Sequence, residues 1–216
     1  MTPLHAAVLA TARAMNASGI NRGAAGNVSV RSGDGFIITP TGMSYDDCTA
    51  GDMVKVDSGG TASGARKPSS EWRFHHDIYT TRPDAGAILH CHSPFATTLA
   101  CQHIEIPAFH YMIARFGGDS VRCAAYATFG TQALSDAMRV ALDGRKACLM
   151  AHHGMVVFGA DLKEALALAI ELETLCEQYW RVLQLGTPKL LPPDEMARVI
   201  EKFKDYGKQP APEKNT

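Results

Sequence analysis

Apolar and polar residues alternate along "NVSVR" (27–31) and "GFIITP" (35–40), and the "SGDG" between them is turn-forming, so the pair predicts a β-hairpin. "DMVKVD" (52–57) reads as a third strand and "SGGTASGAR" (58–66) as a flexible loop. Helical periodicity runs from Pro3 to Ser18 and stops at Gly19. It returns in "SSEWRFHHDIYTTRP" (69–83), a helix entered through serine and closed before Pro83. A short apolar run, Ala87-Ile88-Leu89, then carries His90 and His92 at its end, ahead of a helix from Pro94 to Gln102. "IPAFHYMIARFGG" (106–118) leads to an apolar segment near Val121, a helix follows over Thr131–Leu142, and "ACLMAHHGMVVFG" (147–159) reads as one strand. Asp161 opens a long helix with Glu164 three residues on, as in a capping box. A last amphipathic helix spans Asp194 to Asp205 and ends near Tyr206-Gly207, and residues 208–216 read as a flexible C-terminal tail. Strands alternating with helices through hairpins and crossovers predict a single α/β domain over residues 1–207, a mixed sheet flanked by helices.

Composition narrows the class. The chain has 216 residues, 46% of them apolar and 20% charged, with a net charge of −1. No run of Lys or Arg forms a basic patch, which argues against nucleic acid or an anionic membrane as the main partner. No apolar run reaches the roughly 18–20 residues that a bilayer span requires. The N-terminal stretch lacks a basic leader and is interrupted by His5, Thr11, Arg13 and Asn16, so it reads as an amphipathic helix rather than a signal peptide. The six cysteines form no CxxC pair, the usage of free thiols in a reducing cytoplasm.

The chemistry lies in the histidines and in one glutamate. Side chains alternate faces along a strand, so His90 and His92 point the same way, roughly 7 Å apart along the chain. They are either two ligands of one ion or two polar residues capping a strand end. "AHHG" adds His152 and His153 at the end of another apolar stretch, and only one of that pair can join the first two. Three imidazoles with one open position would be the pattern of a catalytic zinc site. Glu71, beside Ser69 and Ser70, either complements a helix dipole or serves as base or metal ligand beside an anion site. "AGNVS" (25–29) and "TPTGMS" (39–44) place glycine beside Asn, Ser or Thr, as turns do and as oxyanion-binding loops do. No P-loop and no dinucleotide fingerprint is present. Lys55 and Lys146 lie in or beside strands, but no lysine stands out as the desolvated amine of a Schiff-base enzyme.

"GNVSVR", "ITPTGM", "KPSSEWRFH", "HCH", "IPAFHYMIARFGG", "YATFGT", "HHG" and "EKFKDYG" occur in one order over about residues 11–207. Together they resemble the class II aldolase/adducin superfamily, and within it the bacterial L-fuculose-1-phosphate aldolase branch. The resemblance implies an antiparallel-rich sheet and a homotetramer with sites between subunits. It implies that His90, His92 and His153 hold Zn2+, with His152 a bystander. Glu71 would occupy the metal in the empty enzyme and act as acid/base with substrate bound. Gly26, Asn27, Thr41, Gly42, Ser69 and Ser70 would bind the substrate phosphate. Tyr111 would reach in from a neighbouring subunit, and Tyr206 would close over the site.

The implied reaction is reversible cleavage of a ketose 1-phosphate to dihydroxyacetone phosphate and a small aldehyde. L-Fuculose 1-phosphate, giving L-lactaldehyde, stands first. 5-Deoxyribulose 1-phosphate and 5-methylthioribulose 1-phosphate are the alternatives, followed by pentulose-phosphate epimerase or dehydratase chemistry on the same scaffold and, remotely, a non-catalytic oligomerisation module. "HCHSPFATT" and "ARFGG" depart from the fuculose branch near the aldehyde end.

Overall fold

Eight strands build one sheet in the computed structural model, which describes residues 2–206, so the expected tail lies outside the described residues. The strands are β1 (Asn27–Ser32), β2 (Gly35–Ile38), β3 (Val54–Val56), β4 (Ala62–Ser63), β5 (Ala87–Cys91), β6 (Cys123–Ala124), β7 (Ala147–Met150) and β8 (Gly154–Gly159). Their order is β4-β3-β2-β1-β5-β8-β7-β6, and every pairing is antiparallel except β6 with β7. The helices are α1 (Pro3–Ala17), α2 (Trp72–Thr81), α3 (Pro94–Cys101), α4 (Gln132–Ala141), α5 (Leu162–Leu185) and α6 (Pro193–Phe203).

Two cores, one on each face of the sheet, explain why the central strands look uniformly apolar. Val28, Val30, Ala87, Leu89, Cys91, Met155 and Val157 point into the core shared with α1, α3 and α5. Ile88, Val156 and Phe158 point the other way, against Phe74 and Ile78 of α2 and Leu134 and Met138 of α4. Strands covered on both faces carry no polar side. The exceptions on the α2 face are Asn27, Ser29 and His90, all buried.

The hairpin of β1 and β2 and the six helices stand where the periodicity places them, except that α2 starts three residues later. The stretch 147–159 does not form one strand: β7 and β8 are two antiparallel strands joined by the turn Ala151-His152-His153. His152 adopts φ +55°, a left-handed conformation rare outside glycine and asparagine, so its residue type gives no turn signal. The loop 58–66 contains β4, which pairs with β3, and the third strand is shortened to Val54–Val56 by a 3-10 turn over Ala50–Asp52. Asp161 caps α5 by accepting from the Glu164 amide at 2.8 Å, but Glu164 reaches back to the Ala160 amide at 2.7 Å rather than to Asp161. α2 begins at Trp72, with Glu71 as its N-cap residue.

Candidate active site

Antiparallel pairing of β5 with β8 brings the two histidine motifs to the same end of the sheet. His90 is the buried last-but-one residue of β5, and His92 follows one residue beyond the strand. The exit of that strand is pinned from α5. Glu173 accepts from Ser93 Oγ at 2.6 Å and from the amides of Phe95 and Ala96 at 2.8 and 2.9 Å, capping α3 directly after His92. His153 comes out of the β7–β8 turn. The three rings form a near-equilateral set, with all centroid separations 4.9 Å and interplanar angles of 68–75°. One ligand nitrogen from each lies within 4.8 Å of the others.

The hydrogen-bond chemistry tests whether that set fits a cation. His90 Nδ1 lies 2.9 Å from the Met155 carbonyl, which only accepts, so Nδ1 carries a proton and Nε2 is the nitrogen turned toward the pocket. Nε2 faces His92 Nε2 at 3.1 Å and Glu71 Oε2 at 3.1 Å. Glu71 Oε1 is buried without a hydrogen-bond partner, although His153 Nε2 is 3.2 Å away. Acceptors turned on one another in a dry pocket are resolved by a positive charge between them. A tetrahedral zinc with about 2.0–2.1 Å bonds would hold its nitrogens at just such spacings. The set His90, His92 and His153 therefore fits a divalent metal.

Titration follows the same logic. Burial and the neighbouring His90 and His153 hold His92 neutral, its pKa lowered to about 4. Burial and His90 lower His153 likewise to about 4. Burial opposes charge on His90 too, but the Glu71 carboxylate outweighs it, and the pKa of His90 is raised. Burial on its own would raise the Glu71 carboxyl. His90, His153 and the Asn27 amide reverse that and bring it down to about 2.

The six residues expected at the phosphate fall on three segments: Gly26 and Asn27 at the start of β1, Thr41 and Gly42 after β2, and Ser69 and Ser70 ahead of α2. Residues 39–41 run antiparallel to 67–69 through Ser69 N to Thr39 O at 3.0 Å and Thr41 N to Lys67 O at 3.2 Å, which ties the Thr41 segment to the serine segment but sets Thr41 opposite Lys67 rather than Ser69 or Ser70. Ser69 is buried and its hydroxyl accepts from the Glu71 amide at 3.3 Å, whereas Ser70 is exposed and lines the histidine cavity. Gly42 sits at φ +66°. Asn27 is different: its side chain is turned inward to Glu71 and His75. Gly26 lets β1 approach the metal strand. A β-carbon there would lie 2.4 Å from the His90 carbonyl oxygen and 2.8 Å from Asn21 Oδ1. Gly26→Ala is therefore expected to lower stability by about 1–3 kcal/mol and to reduce metal affinity; thermal unfolding and metal titration measure both.

The histidine cavity, about 310 Å³, is lined by Ser70, Glu71, His92 and His153 together with Tyr126, Phe129 and His152. The last three were not expected. His152, read as a bystander, lines the cavity wall, its ring edge-on to Tyr126 at 5.9 Å. "YATFGT" was a signal for the two aromatics. Tyr111 and Tyr206 do not line this cavity. Both are exposed in a separate groove around Phe203, Tyr111 stacked on it at 6.4 Å and Tyr206 edge-on at 5.4 Å. Of the two lysines in or beside strands, Lys55 is exposed and Lys146 pairs with Glu164 at 2.9 Å. All six cysteines are free thiols, and no helix among the described residues is long and apolar enough to cross a membrane.

A three-imidazole pocket with an opposing carboxylate, on a mixed sheet covered by helices, is an arrangement suited to metal-assisted carbon–carbon chemistry. Residues 6–180 match the family described as Class II Aldolase and Adducin N-terminal domain. The chain belongs to that family and is a class II aldolase, a lyase of carbon–carbon bonds. It is 58% identical over 196 residues to the 5-methylthioribulose-1-phosphate/5-deoxyribulose-1-phosphate aldolase of Rhodospirillum rubrum, covering 91% of this chain and 89% of that one. It is 46% identical over 201 residues to the L-fuculose phosphate aldolase of Escherichia coli K12, covering 93% and 94%. The solved structure of an L-fuculose 1-phosphate aldolase superposes with a TM-score of 0.92 at 36% identity, covering 94% of this chain and 97% of that one.

Proposed function

We propose that this aldolase cleaves a 5-deoxypentulose 1-phosphate, 5-deoxyribulose 1-phosphate or its 5-methylthio analogue, to dihydroxyacetone phosphate and a small aldehyde. The observation that carries the chemistry is the convergence of three imidazole nitrogens and the Glu71 carboxylate in one pocket. The substrate choice rests on similarity: 58% identity to the Rhodospirillum rubrum enzyme against 46% to the fuculose phosphate aldolase. L-Fuculose 1-phosphate, first in the sequence reading, becomes the second reading on the strength of the latter.

In this reading His90, His92 and His153 hold Zn2+, and residues 1–207 act as one catalytic domain. When bound, the cation supplies a Lewis acid for the charge that develops as the bond breaks. Gly26, Asn27, Thr41, Gly42, Ser69 and Ser70 fix the phosphate through neutral N–H and hydroxyl groups, which positions the reacting carbons. In the condensation direction Glu71 takes the C3 proton of dihydroxyacetone phosphate, and in cleavage it returns it. Tyr111 of a neighbouring subunit carries the proton on the C4 oxygen, and Tyr206 covers the site, within a homotetramer. The exposed Tyr111 and Tyr206, both against the partly buried Phe203, support a role outside their own chain's cavity.

A panel of ketose 1-phosphates with coupled detection of dihydroxyacetone phosphate tests the substrate. The highest kcat/KM is expected for the two 5-deoxypentulose esters; a preference for fuculose 1-phosphate would reverse the order. Mixing the impaired Tyr111→Phe and Glu71→Gln chains is expected to restore part of the activity in hybrid oligomers. Absence of any recovery removes the shared-site assignment of Tyr111.

A further inference from the structure

One buried titratable side chain has no part in the chemistry above. His75, on α2 four residues after Glu71, is fully buried, and so are its partners Ser29 and Asn27 on β1. Its Nε2 lies 2.5 Å from Asn27 Oδ1 and its Nδ1 2.7 Å from Ser29 Oγ. Ser29 Oγ lies 2.8 Å from the hydroxyl of Tyr79, also buried. At the other end Asn27 Nδ2 donates to Glu71 Oε2 at 3.0 Å.

The direction of every bond in this row follows from one end. A carboxylate only accepts, so the Asn27 amide nitrogen must face Glu71 and its oxygen must face His75. The oxygen only accepts as well, so His75 Nε2 carries a proton. Burial, together with the charge of His90, lowers the pKa of His75 to about 3, so the ring is neutral and Nδ1 is an acceptor. Ser29 then donates to Nδ1 and accepts from Tyr79. No member has a second consistent arrangement.

We propose that His75 is a positioning residue: by holding Asn27 Oδ1 it fixes the amide so that its N–H side is always presented to Glu71. An amide free to turn over would set its oxygen against the carboxylate, a repulsion that would push Glu71 from its place beside His90 and His153. Orientation of the metal-facing carboxylate is thus decided on the far side of β1, by a histidine that touches neither metal pocket nor substrate. The inference rests on the reading of Glu71 as the proton-transfer group.

Two measurements test it. In the wild-type protein, nitrogen-15 spectra of the His75 ring, assigned by its disappearance in His75→Gln, are expected to show the neutral Nε2–H form across about pH 5–8. A ring protonated on Nδ1 overturns the proposal whatever the activity. His75→Phe, which keeps a ring and removes both hydrogen bonds, is expected to lower kcat roughly 10–100-fold, the usual cost of losing an outer partner of a metal site. KM and the stoichiometry of Co2+, titrated by its visible spectrum, stay near wild type, and His75→Gln, which retains an N–H, recovers part of the loss. Wild-type kcat in folded His75→Phe overturns the proposal, as does a Co2+ stoichiometry that falls in step with kcat, the mark of a collapsed pocket. Should His75→Phe not fold, Ser29→Ala keeps the ring and deletes only the donor to Nδ1. It is expected to raise the Nδ1–H fraction and to lower kcat, and an unchanged ring spectrum with unchanged kcat overturns the proposal. If no ketose 1-phosphate is cleaved by the wild type, the function reading falls, while the ring spectrum and Co2+ titration still decide the network.

Discussion

Chelation of the bound cation, followed by gel filtration, is expected to abolish cleavage, and stoichiometric Zn2+ is expected to restore it. The physical reason is the inward-facing geometry of the donors. His90 Nε2 and Glu71 Oε2 stand 3.1 Å apart, and Glu71 Oε1 has no hydrogen bond at all. Such a pocket attracts a cation and serves poorly without one. Loss of several kcal/mol of charge stabilisation corresponds to about 10³-fold or more in rate. His92→Ala is expected to act in the same direction, because one ligand of three is removed while the Glu173 cap on the following helix stays intact. The measurement is turnover against metal content by atomic emission. Full turnover in protein carrying less than about a tenth of an equivalent of any divalent metal would sink the assignment of the pocket.

Glu71→Gln is expected to lower kcat by about 10²–10⁴-fold, the usual share of a positioned acid or base. The exchange is nearly isosteric, and the three imidazoles remain to bind metal. What disappears is the ionised carboxylate, held at a pKa of about 2 by His90, His153 and Asn27. A carboxylate that acidic is a weak base while it rests against the histidines, so its proton transfer requires it to leave them for the substrate. Deuterium exchange at C3 of dihydroxyacetone phosphate, followed by proton NMR, isolates the step. Exchange in Glu71→Gln at the wild-type rate would assign the proton to another group.

How much of this was legible in the residues differs from element to element. The hairpin of β1 and β2 was visible because alternation of apolar and polar positions brackets a Gly-rich turn. The long helix α5 was visible because its periodicity and its Asp161 cap agree. The break between β7 and β8 was not. Both strands are buried on both faces, so the apolar run is continuous, and the turn is made by a left-handed histidine rather than by glycine or asparagine. The start of α2 was read three residues early, since Ser69 and Ser70 resemble caps, whereas Ser69 bonds the Glu71 amide and that residue caps the helix.

Sequence alone determined the donor inventory: two histidines on one strand edge, a pair before Gly154, and Glu71 behind two serines. Local spacing suffices there, because period-two geometry puts His90 and His92 on one side whatever surrounds them. The family resemblance supplied the choice of His153 over His152. Tertiary structure alone decided how the cluster is held. The hairpin reversal at His152 swings His153 onto the β5 histidines, and Glu173 from α5 pins the turn after His92. On the α2 face the Tyr79–Ser29–His75–Asn27 row reaches Glu71 across 44–50 residues of chain, through contacts that no local pattern encodes.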